Sequence, residues 1–109
     1  MAQSGALVVL VTCGSRSEAK KIARAVVDKR LTACVNVVSA PVESLYRWKG
    51  KVETAREFLL IVKTTPRRFE ALQAEILRLH SYDMPEVIAL PVKAGSKPYL
   101  QWVKSSVQP

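Results

Sequence analysis

Two segments of this chain, Leu7-Val8-Val9-Leu10-Val11 and Phe58-Leu59-Leu60-Ile61-Val62, are apolar at every position. Successive side chains on a strand point to opposite faces. As strands, both segments would place hydrocarbon on the two sides of their sheet at once, whereas a sheet with one wet face alternates apolar and polar residues. Any fold for these 109 residues must therefore cover both faces of its central strands.

The rest of the pattern supplies cover for only one face. Ser15-Arg16-Ser17-Glu18 matches a capping box, with Ser15 capping and Glu18 reaching back. Ala19, Ile22, Ala23 and Val26 follow at helical spacing, and Lys29 and Arg30 are expected in the last turn. Leu31 to Val38 reads as a strand, interrupted at Ala40-Pro41 and resumed from Glu43 to Trp48. Trp48-Lys49-Gly50-Lys51 is a hairpin signal, and Arg56 to Thr64 is the return strand. Thr65-Pro66 opens a second helix whose buried stripe is Phe69, Leu72, Ile76 and Leu79. Glu86 to Val92 is the last strand, and Ser96 can cap a short helix carrying Tyr99, Leu100 and Val103.

This β-α-β-β-α-β order predicts an α+β, ferredoxin-like sandwich with an extra C-terminal helix. The whole chain, 1–109, forms a single domain with its core at about 6–105. Its two helices cover one face of the sheet. At about 25 cal/mol per Å², leaving several apolar side chains of the other face wet would forfeit several kcal/mol. The simplest cover is another copy of the same sheet, which makes the chain a homo-oligomer.

Composition excludes several classes. Seventeen basic against nine acidic residues give a net charge of +8. The cations are scattered rather than blocked, so the reading is a solvated surface with no specific nucleic acid as partner. The return strand Phe58 to Thr64 is aliphatic after its first residue, where an RNA-recognition motif needs exposed aromatics. No apolar run approaches the roughly 18 residues of a membrane span. Met1-Ala2-Gln3-Ser4-Gly5 does not look like a signal segment, which points to a cytoplasmic protein. Cys13 and Cys34 lack metal-ligand spacing and read as two buried thiols, reduced in a cytosol. Arg67 and Arg68 lie at the positive end of the second helix, either solvated or holding an anion or a partner's carboxylate.

Chemistry concentrates in His80-Ser81-Tyr82-Asp83-Met84-Pro85-Glu86, where the single histidine meets a tyrosine, two carboxylates and the start of a strand. His80 can ligate a borderline metal, with Glu86 and a thiolate as partners, or can simply bond to backbone. Tyr46, Trp48, Tyr82 and Trp102 line a pocket between subunits or pack an interface. Lys63 closes an apolar strand, either snorkelling from its end or neutralising Glu57, Glu86 or an anion. No nucleophile–base pair is recognisable, so catalysis is not expected.

Several blocks, in this order and spacing, resemble the CutA divalent-cation-tolerance family. They are Ala33-Cys34-Val35-Asn36, Ser44 to Lys51, Lys63-Thr64, His80 to Val92 and Tyr99-Leu100-Gln101-Trp102. The likeness runs from Val8 to Trp102. It implies a homotrimer with sheets facing inward, and a link to copper or another divalent cation, weakly bound, with no organic cofactor. Some bacterial relatives ligate copper through a first-strand cysteine, where this chain has Val11, and adjacent histidines, where it has Leu79-His80. Cys13 stands two residues on, towards the same face on a regular strand, and is either a substitute thiol or, with Gly14 next, already past the strand's end. Ser81 replaces a common proline and is expected to loosen the turn. The function implied is metal tolerance by weak binding. The alternative is a small-molecule or signalling module with a pocket at subunit boundaries, its ligand unknown.

Overall fold

A computed structural model describes residues 4–108. Met1 to Gln3, part of the segment read as no signal, lie outside the described residues. The elements run β1 (Leu7–Cys13), α1 (Arg16–Asp28), β2 (Cys34–Val37), β3 (Val42–Trp48), β4 (Lys51–Thr64), α2 (Pro66–Leu79), β5 (Val87–Pro91) and α3 (Lys97–Ser106). The sheet order is β2-β4-β1-β5, all antiparallel, with β3 pairing the other half of β4. Taking β2 and β3 as one strand broken at Pro41, this is the ferredoxin-like order expected from sequence.

β4 organises the molecule. Phe58 to Thr64 pairs with β1, while Lys51 to Glu57 pairs with β3 as a hairpin that extends beyond the four-stranded sheet. Fourteen extended residues span about 45 Å, which matches the longest dimension of 43 Å. The hairpin turns on Lys49 and Gly50 at φ 50° and 80°, between paired Trp48 and Lys51. Two consecutive positive φ values make a type I′ turn, whose twist suits the strands it joins.

The return strand is thus longer than its apolar half suggested, and β2 is shorter. Leu31 and Thr32 precede β2, with the Thr32 hydroxyl donating to the Lys63 carbonyl at 2.5 Å. The end of α1 also differs from expectation. The helix stops at Asp28, so Lys29 and Arg30 are not in its last turn. Lys29 is the C-cap, Arg30 takes φ 60°, and the Leu31 amide reaches back to the Val26 carbonyl at 3.0 Å. These bonds form a Schellman motif, built here on an arginine where glycine is usual. Thr65 and Ser96 occupy N-cap positions as expected, but neither side chain makes the capping hydrogen bond.

Register explains the two-faced strands. Val9, Val11, Leu60 and Val62 face the helices and pack with Ile22, Val26, Leu72 and Ile76 into one core. On the opposite face, Leu10 lies between Ile61 and Ile88, and Val8 lies between Lys63 and Leu90. Ile88 and Leu90 are each 49 % exposed.

Candidate functional site

The ring of His80 links three separate pieces of chain. His80 is the C-cap of α2, its amide bonded to the Ile76 carbonyl at 2.9 Å. Its Nε2 lies 2.8 Å from the carbonyl oxygen of Thr12, next to the end of β1. A carbonyl only accepts, so Nε2 carries the proton, and Nδ1 accepts the Tyr82 amide at 3.1 Å. The backbone thus engages both ring nitrogens, and the Tyr82 ring tilts against the imidazole with centroids 4.7 Å apart.

Beside this ring sits Cys13, the last residue of β1 and fully buried. Burial foremost, then the carboxylates of Glu18 and Glu57, push its thiol from an ordinary 9.0 to about 12. Glu18 completes the group. Its amide does bond to Ser15 Oγ at 3.2 Å, as a capping box requires. Its carboxylate does not return to Ser15, however. It accepts from the Ser81 amide at 2.8 Å and from the Ser81 hydroxyl at 3.1 Å. Ser81 therefore pins the turn after His80 to α1 instead of loosening it, using an N–H that proline would lack.

The ligand atoms of Cys13, Glu18 and His80 all lie within 4.8 Å of one another. Thiol, carboxylate and imidazole form a donor set suited to a borderline cation. Each is already engaged, by a proton, by Ser81 or by backbone. Occupancy would require Cys13 to lose its proton and Nδ1 to release the Tyr82 amide.

Tyr82 connects this cluster to a groove. Its hydroxyl donates to Glu57 Oε2 at 2.9 Å. Burial, then that bond, raise the phenol to about 12. Gly14 allows the ring this position, since a Cβ there would meet Tyr82 Oη at 3.0 Å. The groove holds about 890 Å³ between the β3–β4 hairpin and the 82–86 loop, and Tyr46, Trp48, Glu57 and Glu86 line it. Burial and the neighbouring Glu57 raise the Glu86 carboxyl above its ordinary range.

Of the residues singled out in the sequence, His80 and Cys13 meet, with Glu18 rather than Glu86 as the nearby carboxylate. Glu86 instead joins Tyr46, Trp48 and Tyr82 in the groove. Lys63 and Trp102 lie apart from it. Lys63 Nζ donates to Asn36 Oδ1 and approaches Cys34 Sγ at 3.9 Å. Cys13 meets the expectation of a buried thiol, whereas Cys34 is half-buried. Trp102 packs against Tyr99 with the rings tilted by 44° and their centroids 5.4 Å apart. Sequence reasoning missed Glu18 and Glu57 as site residues. Glu18 was absorbed into the capping pattern. Glu57 had one usable signal, a carboxylate directly preceding an apolar strand.

Comparison with known proteins adds a name to this geometry. The sequence model of the family described as CutA1 divalent ion tolerance protein matches residues 7–106. The chain is 46 % identical over 102 residues to the chloroplastic protein CutA of Arabidopsis thaliana, covering 94 % of this chain and 56 % of that protein. It therefore spans little more than half of that relative. It is 44 % identical to the divalent-cation tolerance protein CutA of Thermus thermophilus, covering 91 % of this chain and 95 % of the other. A solved structure of that divalent cation tolerance protein superposes with a TM-score of 0.92 at 43 % identity, over 94 % of this chain and 99 % of the other.

Proposed function

The chain belongs to the CutA1 divalent ion tolerance family, and from that premise we propose a trimeric, non-catalytic, cytoplasmic protein of divalent-metal tolerance that holds copper weakly. The observation that carries this reading is the convergence of Cys13, Glu18 and His80 within 4.8 Å. The ion would supply charge and a preference for sulfur and nitrogen donors. The protein's part is to hold three donors, Cys13 and His80 buried and Glu18 half-buried, and to set what each gives up on binding. A thiol raised to about 12 is protonated at neutral pH, so binding must displace its proton. Weak, pH-dependent affinity follows. The same features argue against catalysis, because Cys13 lacks a thiolate and His80 has no free nitrogen with which to activate one.

The open sheet face supports the trimer. Val8, Leu10, Ile61, Ile88 and Leu90 form a continuous apolar surface, and the hairpin beside it exposes Leu45 and Val52. Further copies of the chain would cover both.

A second reading has its own support. The groove joins aromatic side chains to two neighbouring carboxylates, Glu57 and Glu86, a lining suited to a small ligand with a cationic group.

Equilibrium dialysis against copper(II), zinc and, under reducing conditions, copper(I) separates the two readings. The metal reading expects binding that strengthens as pH rises and weakens in His80→Ala and in Cys13→Ser, most strongly for copper(I) in the latter. Unchanged binding in both variants would exclude the cluster and leave the groove as the site.

A further inference from the structure

A second cavity, of about 360 Å³, opens on the far side of the fold between the start of α2 and the end of α3. Its volume is at the lower end of those that take small ligands, about 300–1,000 Å³. Its lining is strongly cationic, with Arg67 and Arg68 from α2 and Lys104 from α3. No acidic residue occupies the first turn of α2, and none of the three cations forms a salt bridge among the described residues. A helix N-terminus without an acidic partner carries partial positive charge and unspent donors.

Those donors can be named. Pro66 has no N–H, and the Arg68 amide is spent on the Thr65 carbonyl at 3.1 Å. The Arg67 amide, at the second helical position, has no intrahelical acceptor. Thr65 stands at the N-cap and is only 8 % exposed, yet its hydroxyl makes no capping hydrogen bond. It lines the cavity. Arg68 Nε is buried without any hydrogen-bond partner among the described residues. Lys104 lies across the opening, packed so close to Gly5 that a Cβ there would meet its Cε at 2.8 Å.

We propose that this cavity binds a phosphate-type oxyanion, as inorganic phosphate or as the phosphoryl group of a small monoester. A tetrahedral dianion offers several acceptor oxygens to a guanidinium, an ammonium, a hydroxyl and a helix N-terminus at once. A carboxylate would satisfy fewer of these donors. The cavity's volume leaves room for the ester's organic part. The site shares no residue with the Cys13–Glu18–His80 cluster or with the groove, so it is independent of any metal.

The test is a titration of the full chain with inorganic phosphate and, separately, with glycerol phosphate at physiological salt, followed by heat and by the Arg68 Nε–H resonance. Saturable binding with a shift of that resonance is expected. Arg68→Gln and Lys104→Gln should each weaken it roughly tenfold or more, while Lys20→Gln, an exposed cation on α1, should leave it unchanged. Tighter binding of glycerol phosphate identifies the ester as the better occupant, and tighter binding of inorganic phosphate identifies the free ion. Absence of saturation with either, or equal weakening by Lys20→Gln, would overturn the proposal by showing no site or bulk charge alone. Should Arg68→Gln fail to fold, Lys104→Gln carries the same test, since its ammonium borders the cavity from another helix.

Discussion

Ile88→Asp distinguishes the open face of the sheet from the core behind it. Ile88 lies on the edge strand β5, opposite Leu10, and keeps 49 % of its surface in the protomer. Full burial of such a side chain is worth about 1.5–3 kcal/mol, so the protomer holds about half of that and a covering subunit would supply the rest. The substitution should therefore cost the isolated protomer only about 1 kcal/mol, within the 5–15 kcal/mol of an ordinary domain. In an assembly it forfeits a similar amount and also buries an unpaired carboxylate, at several kcal/mol per ion. Repeated in every subunit, these costs exceed what a micromolar assembly can absorb. Sedimentation velocity should show a trimer for the parent, persisting at high salt, and a monomer with an unchanged far-ultraviolet spectrum for Ile88→Asp. Leu60→Asp, fully buried on the helix side, should instead unfold the chain. A variant Ile88→Asp that sediments as the parent does would refute the inference that this face is covered.

Two further outcomes follow from local structure. Arg30→Gly should raise stability by about 0.5–1 kcal/mol in urea titrations, because the left-handed φ of 60° costs an arginine about 1–2 kcal/mol and glycine nothing, less what glycine adds to unfolded-chain entropy. Destabilisation by this change would mean that the Arg30 side chain contributes more than its backbone strain costs. Because the Cys13 thiol is raised to about 12, its contribution to stability is complete below pH 9 and lost as pH climbs towards 12. Between pH 9 and 10, before Tyr82 joins the titration, the urea midpoint of the parent should fall by the equivalent of about 1 kcal/mol, and that of Cys13→Ala should not.

Periodicity made the architecture legible, because each element carries its own repeat and its own stop. Two uniformly apolar strands announced a sheet with apolar residues on both faces, and Gly50 marked the hairpin. Long-range competition hid the rest. The capping box gave Glu18 a partner three residues away, but Ser81, 63 residues on, offers it an amide and a hydroxyl together. Arg30 looks like a dipole-compensating cation until the Schellman bonds place it beyond the helix. The polar first half of β4 carries no apolar stripe, so its pairing with β3 had only the turn to signal it. Of the aromatic residues read as lining a pocket or interface between subunits, Tyr46, Trp48 and Tyr82 share one groove within the protomer. Lys63 and Trp102 belong to other parts of the surface, a separation that sequence distance does not encode.

Native mass spectrometry of the full chain in the presence of copper(II) bears on assembly and metal together. The mass should be that of three subunits carrying up to one ion per subunit, with the ions lost in Cys13→Ser and His80→Ala while the three-subunit mass remains. A single-subunit mass, or copper retained equally by both variants, would contradict the proposed trimer or the proposed site respectively.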